Sequence, residues 1–385
     1  MGSRPADLIT EIYLAGLAGQ RPALPTDLTR LEQAAREHLS PSAYGYIAGN
    51  AGSGTTGTAN REAFGRWQFV PRMMRDCSQR DLSVSLFGQR LPFPVLLAPV
   101  AAQTLAHPAG ELASARAAAA VGAPFILSTC SSYPLEEVAR EAGDTPRWFQ
   151  LYLPADRAVA ESLVSRAIAS GYTALVLTVD TASFGYRPAD LDNGYQPFLH
   201  ETGIANFTSD PAFNAGLPDG AGSASVVKRW AEVCANPRLN WEDLPWLREF
   251  TTLPIILKGI LHPDDARRAM DCGMDGLVIS NHGGRQLDGT VATLDALPPV
   301  RKAVGETVPV LLDSGVRTGT DVIKALALGA DAVLYGRPYV YGLALAGQSG
   351  ALHVLRCLLA DLDLAVALNG CSSVADLSLD LLVRR

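Results

Sequence analysis

His282 and Arg285 stand three positions apart in the run Ser280-Asn281-His282-Gly283-Gly284-Arg285-Gln286-Leu287-Asp288-Gly289. An imidazole exchanges protons near neutral pH, and a guanidinium forks onto a carboxylate. A base beside an anion clamp is the pair needed to abstract a proton next to a carboxylate. The apolar Gly276-Leu277-Val278-Ile279 leads straight into this run and reads as a buried strand. Gly283 and Gly284 let the backbone turn sharply or approach a ligand closely.

The elements that must position these groups repeat along the chain. Short β-rich runs occur at 93–100, 124–129, 147–153, 173–180, 254–260, 276–282, 308–315 and 332–338. Alanine-rich helical segments at 110–121, 135–142, 156–170, 263–272, 294–304 and 320–328 separate most of them. Eight alternating units with non-alternating apolar strands predict an α/β fold, a (β/α)8 TIM barrel. A doubly wound sheet is the alternative, but no G-x-G-x-x-G follows the first strand. Residues 1–92 read as an N-terminal helical segment covering the barrel. Within it, Thr26 or Asp27 caps a helix over 31–39, Pro41-Ser42 opens another, and a glycine-rich loop spans 48–57. The barrel itself is expected over 93–369, with a long lid at 188–240 after strand four, and 370–385 as a tail. The second part of that long connection, 225–238 and 241–250, looks helical, and 354–368 is the expected closing helix.

In such a barrel the chemistry sits at the C-terminal ends of the strands. Those ends carry Pro99-Val100-Ala101, Ser128-Thr129, Gln150-Leu151-Tyr152, Thr178-Val179-Asp180, Lys258-Gly259, His282, Asp313-Ser314-Gly315 and Gly336-Arg337. Arg187 lies just beyond the fourth. Polar groups after so many apolar runs place the site on that face. Singly, several have ordinary readings: Lys258 as a cation paired with Asp313, Asp180 as a turn cap, Tyr152 as a half-buried aromatic. Asp313-Ser314-Gly315-Val316-Arg317 and Gly336-Arg337 together make a phosphate cradle, which implies a phosphate-bearing cofactor or substrate. The six histidines lack metal-ligand spacing, so no metal is expected. Ser128 with His282 does not make a hydrolase without a G-x-S-x-G elbow.

Composition narrows the class. The chain of 385 residues is 48% hydrophobic with a formal net charge of −7, which argues against nucleic-acid or membrane binding. Six cysteines without a C-x-x-C pair favour reduced thiols in the cytoplasm. Met1 to Asp7 has no apolar core behind its charge and does not read as a signal peptide.

The 280–289 run resembles the signature of the FMN-dependent L-2-hydroxy acid oxidases and dehydrogenases, and the likeness extends over nearly the whole chain. The resemblance implies His282 as base, Asp180 as its partner, and Arg187 and Arg285 as the carboxylate clamp. Tyr46 and Tyr152 would supply substrate-side hydroxyls, with Cys130 facing the substrate. Lys258 would stabilise charge on reduced FMN. Pro99, Val100, Ala101, Ser128, Gln150, Thr178 and Ser280 match flavin-contacting positions. Asp313 and Ser314 would hold the ribityl side, and Gly315, Arg317, Gly336 and Arg337 the phosphate. Within the family the likeness is nearest to lactate 2-monooxygenase, through 69–73, 143–146, 184–188 and 313–315. Asn50, Ser53 and Gly54 depart from that subgroup, and Cys130 stands where glycolate oxidases carry tryptophan. The implied activity is oxidation of an L-2-hydroxy acid by dioxygen in a homo-oligomer, tetramer or octamer. His282 would take either the hydroxyl or the Cα proton. The outcome is either decarboxylating monooxygenation of lactate, or release of oxo acid and peroxide from a bulkier or aryl substrate. Outside this class, Lys258 could serve a Schiff-base aldolase, or the barrel could bind FMN without catalysis.

Overall fold

Eight strands close into a parallel barrel in chain order in the computed structural model, which describes residues 4–385. They are β1 (Val95–Leu97), β2 (Phe125–Ser128), β3 (Arg147–Leu151), β4 (Leu175–Thr178), β5 (Ile255–Ile260), β6 (Gly276–Ile279), β7 (Val310–Leu312) and β8 (Ala332–Tyr335). Strands buried on both faces need apolar residues at successive positions, which is why their sequences run without alternation. Each is shorter than the predicted run: β1, β2, β4 and β7 are trimmed at both ends, β3, β6 and β8 only at the C-terminal end, and β5 only at the N-terminal end. The trimmed residues, such as Val100, Thr129 and Asp180, turn out of the ladder.

Side-chain parity divides the core in two. Leu96, Ile126, Trp148, Val176, Ile256, Val278, Leu311 and Leu334 fill the barrel interior. Their neighbours Leu97, Phe125, Phe149, Leu177, Leu257 and Ile279 face the surrounding helices. A hairpin of Val84–Leu86 and Gln89–Leu91, absent from the sequence-based expectation, adds Leu86 and Leu91 to the interior cluster. Phe87 at its turn meets Trp148 edge-on at 5.5 Å.

The helices at 110–121 and 135–142 match the expected ranges, most others shift by one or two residues, and the one expected over 225–238 runs over Ser223–Cys234. Four differences are larger. A helix runs over Asp7–Leu17, and another over Thr55–Gly65 where a loop was expected up to residue 57. Trp67–Phe69 pairs with Leu382–Arg384, so the expected tail is tied to the N-terminal segment. The expected closing helix is the second limb of Arg337–Leu368, which is kinked at Ala346 and Gly347. The leading Met1-Gly2-Ser3, part of the N-terminal reading, lies outside the described residues.

The helix at Gly319–Ala327 packs on that last limb with no room to spare. A Cβ at Gly319 would come within 2.2 Å of the Leu362 backbone nitrogen. Gly319→Ala should therefore destabilise the fold by about 1–3 kcal/mol, read as a lower thermal midpoint.

Candidate active site

Parity continues past the strand ends and sets out the site. Ser128, Gln150, Thr178, Lys258, Ser280 and Asp313 each lie two positions beyond an interior apolar residue, so they top the barrel on its axial side. Hydrogen bonds join them across strands. Ser128 Oγ donates to Gln150 Oε1 (3.1 Å), and Gln150 Nε2 donates to Thr178 Oγ1 (3.0 Å). Lys258 Nζ donates to Ser280 Oγ (3.0 Å) and pairs with Asp313 Oδ2 (3.3 Å). Burial alone would lower the lysine pKa, but Asp313 and Asp180 outweigh it and hold the pKa above its ordinary value.

His282 follows β6 and meets the carboxylate that follows β4. His282 Nδ1 lies 2.8 Å from Asp180 Oδ1, which also accepts from Thr181 Oγ1 (3.0 Å). With Nδ1 bound to the carboxylate, Nε2 is the nitrogen left to act as a base. Burial would raise the Asp180 carboxyl, but the charges of His282 and Lys258 pull it down to about 2. His282 is shifted below its ordinary value, first by burial and also by Lys258, with Asp180 opposing. His282 and Ser314 both hold left-handed backbone, φ 58° and 72°, and Gly283 N donates to Ser314 Oγ at 2.9 Å. Strained residues at adjacent strand ends are a feature of functional sites.

Arginines surround the same space. Arg187 Nε donates to Arg285 O (3.0 Å), and Arg285 Nη1 donates to Gly49 O (2.7 Å) with its guanidinium 5.3 Å from the Tyr46 ring. Arg337 Nη2 donates to Gly283 O (2.8 Å) and Asn50 Oδ1 (3.2 Å). Burial, then Arg187 and Arg337, bring Arg285 down to about 9, so it is charged at neutral pH. Gln286 organises this side. Its Oε1 accepts from Arg187 Nη2 (2.8 Å), while Nε2 donates to Asp180 O (3.0 Å) and Ser183 O (2.9 Å). Gly284 has φ 76°, and a Cβ there would meet Gly57 N at 2.7 Å, so glycine is required where this turn meets the 55–65 helix.

The arrangement opens on a cleft of about 1400 Å³, counting space open to solvent. Of the residues expected at the site, Tyr46, Pro99, Val100, Ala101, Ser128, Cys130, Tyr152, Arg187, Lys258, His282 and Arg285 line it, as do 313–315, Arg317, Gly336 and Arg337. Asp180, Gln150, Thr178 and Ser280 stand behind that surface and hold the lining groups. Sequence reasoning missed one wall: Phe184, Phe198, Trp230 and Cys234, from the long connection after β4. Phe198 packs on Trp230 (4.7 Å between rings), Phe184 (6.3 Å) and Tyr46 (6.0 Å). The signals for it were the length of that connection, read as a lid, and its aromatic content.

A dyad, an arginine pair and a cationic cradle on one barrel face match a known family. The profile for FMN-dependent dehydrogenase matches residues 35–384. The chain belongs to this FMN-dependent family. It is 46% identical over 381 residues to the FMN-dependent alpha-hydroxy acid dehydrogenase qulF of Penicillium citrinum, covering 97% of this chain and 95% of that one. To the L-lactate oxidase of Nostoc sp. it is 47% identical over 359 residues, covering 92% and 96%. A crystal structure of mandelate oxidase with (S)-4-hydroxymandelic acid superposes with a TM-score of 0.84 at 41% identity, covering 94% of this chain and 99% of that one. The residues present fit the cofactor the family takes. Buried Arg337 Nε has no hydrogen-bond partner, and among the described residues neither Arg317 nor Arg337 forms an ion pair, so the cradle holds uncompensated positive charge for a phosphate.

Proposed function

We propose that this FMN-dependent 2-hydroxy acid oxidoreductase acts on an L-2-hydroxy acid with a bulky apolar or aryl side chain and uses dioxygen as acceptor. The observation that carries this is the apolar wall of Phe184, Phe198, Trp230 and Cys130 in the cleft that also holds the two clamp arginines. Bound FMN supplies a two-electron acceptor. Arg187 and Arg285 hold the substrate carboxylate, and Tyr46 and Tyr152 border the same space. His282 Nε2 takes a substrate proton, and Asp180 stabilises the imidazolium that results. Ser128, Gln150, Thr178, Lys258 and Ser280 support the flavin ring, beside the 99–101 segment. Asp313 and Ser314 hold the ribityl side, and Arg317 and Arg337 with the Gly315 and Gly336 amides hold the phosphate.

The likeness to mandelate oxidase supports an aryl substrate, and that to L-lactate oxidase supports the reaction class with a small one. Decarboxylating monooxygenation of lactate is the second reading. Its support is the aromatic wall from the long connection, which would retain the oxo acid after oxidation. A Schiff-base aldolase needs a free amine, whereas Lys258 is ion-paired with its pKa raised. The free thiols support a cytoplasmic protein. No helix among the described residues is long and apolar enough to cross a membrane. Exposed Tyr13, Leu14 and Leu17 on one helix support association into a homo-oligomer.

Anaerobic bleaching of the FMN-loaded protein by a panel of L-2-hydroxy acids tests the reading. Mandelate-like acids should bleach the flavin with an at least about tenfold higher ratio of reduction rate constant to Kd than lactate, the discrimination an apolar pocket gives for added carbon. A preference for lactate would reject the bulky-substrate reading. Acetate rather than pyruvate formed in air would then identify the monooxygenase.

A further inference from the structure

Two thiols meet in the wall of this cleft. Cys130 follows β2, and Cys234 is the last residue of the Ser223–Cys234 helix in the long connection, 104 positions away; their sulfurs are 4.0 Å apart. Both are free, Cys130 buried and Cys234 half-buried. Cys130 is fixed from behind, since Ser128 Oγ accepts from its amide (3.1 Å) and its carbonyl accepts from Ala102 N (2.9 Å). The helix end bearing Cys234 is tied at Val233 O, which accepts from Ala155 N (2.9 Å). The same helix carries Trp230, which packs on Phe198 and Phe184.

We propose that Cys130 and Cys234 are an oxidative modification site, a dithiol that hydrogen peroxide converts to a disulfide joining the long connection to the barrel across the substrate wall. One sulfur is first oxidised by peroxide, thiol plus H2O2 giving sulfenic acid plus water. The second thiol then displaces hydroxide from the sulfenic sulfur, forming the S–S bond and a second water. Peroxide is the two-electron oxidant and is reduced to water, so atoms and electrons balance. The contact with Cys234 and then burial keep the Cys130 thiol protonated, and the more exposed Cys234 is the sulfur that peroxide reaches first. The two sulfurs, 4.0 Å apart, need to close by roughly 2 Å to reach bonding distance. The source of peroxide within the cleft rests on dioxygen being the acceptor, whereas the reactivity of the pair does not.

The bond would draw the helix end toward β2 and narrow the wall that receives the substrate side chain. Bulky acids should lose apparent affinity by about tenfold, the scale of discrimination for one methylene-sized change in an apolar pocket. The test treats the FMN-loaded protein with added hydrogen peroxide, alkylates the remaining thiols and maps the peptides. The expected result is a peptide pair linked through Cys130 and Cys234, reversed by a dithiol reductant, with Cys77, Cys272, Cys357 and Cys371 alkylated. Cys234→Ser should give no linked pair, and peroxide should not change its affinity for a bulky carboxylate inhibitor from its own untreated value. Cys130 and Cys234 recovered separately, alkylated or over-oxidised, would overturn the proposal. So would a linked pair whose formation leaves inhibitor affinity unchanged. Because peroxide is supplied from outside, the thiol mapping does not depend on which hydroxy acid is the substrate or which acceptor is used. The affinity arm rests on the proposed bulky-substrate cleft, and untreated protein that does not bind the inhibitor would reject that reading and not the disulfide.

Discussion

His282→Ala should lower kcat by about 10²–10⁴ while the purified protein keeps its flavin spectrum. The side chain lines the cleft, its Nδ1 is committed to Asp180 at 2.8 Å, and Nε2 is left to take the proton. Among the described residues no other histidine lines the cleft. The pH dependence gives a second check. Burial and Lys258 hold the imidazole pKa below the ordinary 6.5, so the neutral, basic form persists below neutrality. kcat/KM should rise with pH along an acid limb centred below 6.5 and then stay level through neutral pH, and the variant should lose that limb. Asp180 is not the source of this limb, since at about 2 it is already ionised throughout the range. Asp180→Asn separates orientation from charge. An amide that donates to Nδ1 forces the proton onto Nε2, the wrong tautomer for a base, so turnover should fall about as far as in His282→Ala. Retained turnover in His282→Ala would assign the base elsewhere.

The sequence carried the barrel and most of the site because both follow local rules. Strands buried on both faces require unbroken apolar runs, and the polar residue directly after most of those runs is visible without coordinates. Reading the strand ends brought Ser128, Gln150, Thr178, Lys258 and Asp313 together, and the structure shows why: with Ser280, known only from the resemblance, all keep the inward parity of the strand before them. Elements stabilised at long range were not legible. The Thr55–Gly65 helix opens on Gly54 without a local cap, and Asp288 accepts from Thr56 N (2.9 Å), Thr55 Oγ1 (2.8 Å) and Ser53 N (2.9 Å) instead. The strand at Trp67–Phe69 is three residues long and finds its partner at the far end of the chain. Phe184, Phe198 and Trp230 have no common period. The turn at Pro197–His200 and the Ser223–Cys234 helix bring Phe198 and Trp230 against one another and against Phe184.

Arg285→Ala should raise KM and the dissociation constant of a carboxylate inhibitor by about 10- to 150-fold, the span of one charge-assisted hydrogen bond. The clamp starts in a repelling arrangement. Arg187 and Arg337 both push the Arg285 pKa down, and among the described residues no carboxylate pairs with any of the three. A bound carboxylate relieves that repulsion, so removing Arg285 costs an attraction but also lessens the repulsion left on Arg187. The net loss should therefore stay below what two independent cations would give. Arg285→Lys distinguishes charge from shape. The ammonium keeps the charge but cannot both fork onto a carboxylate and reach Gly49 O as Nη1 does at 2.7 Å. It should recover only part of the affinity, and it should loosen Tyr46, over whose ring the guanidinium sits at 5.3 Å. An unchanged inhibitor affinity in Arg285→Ala would remove it from the clamp and leave Arg187, held by Gln286, as the carboxylate's partner.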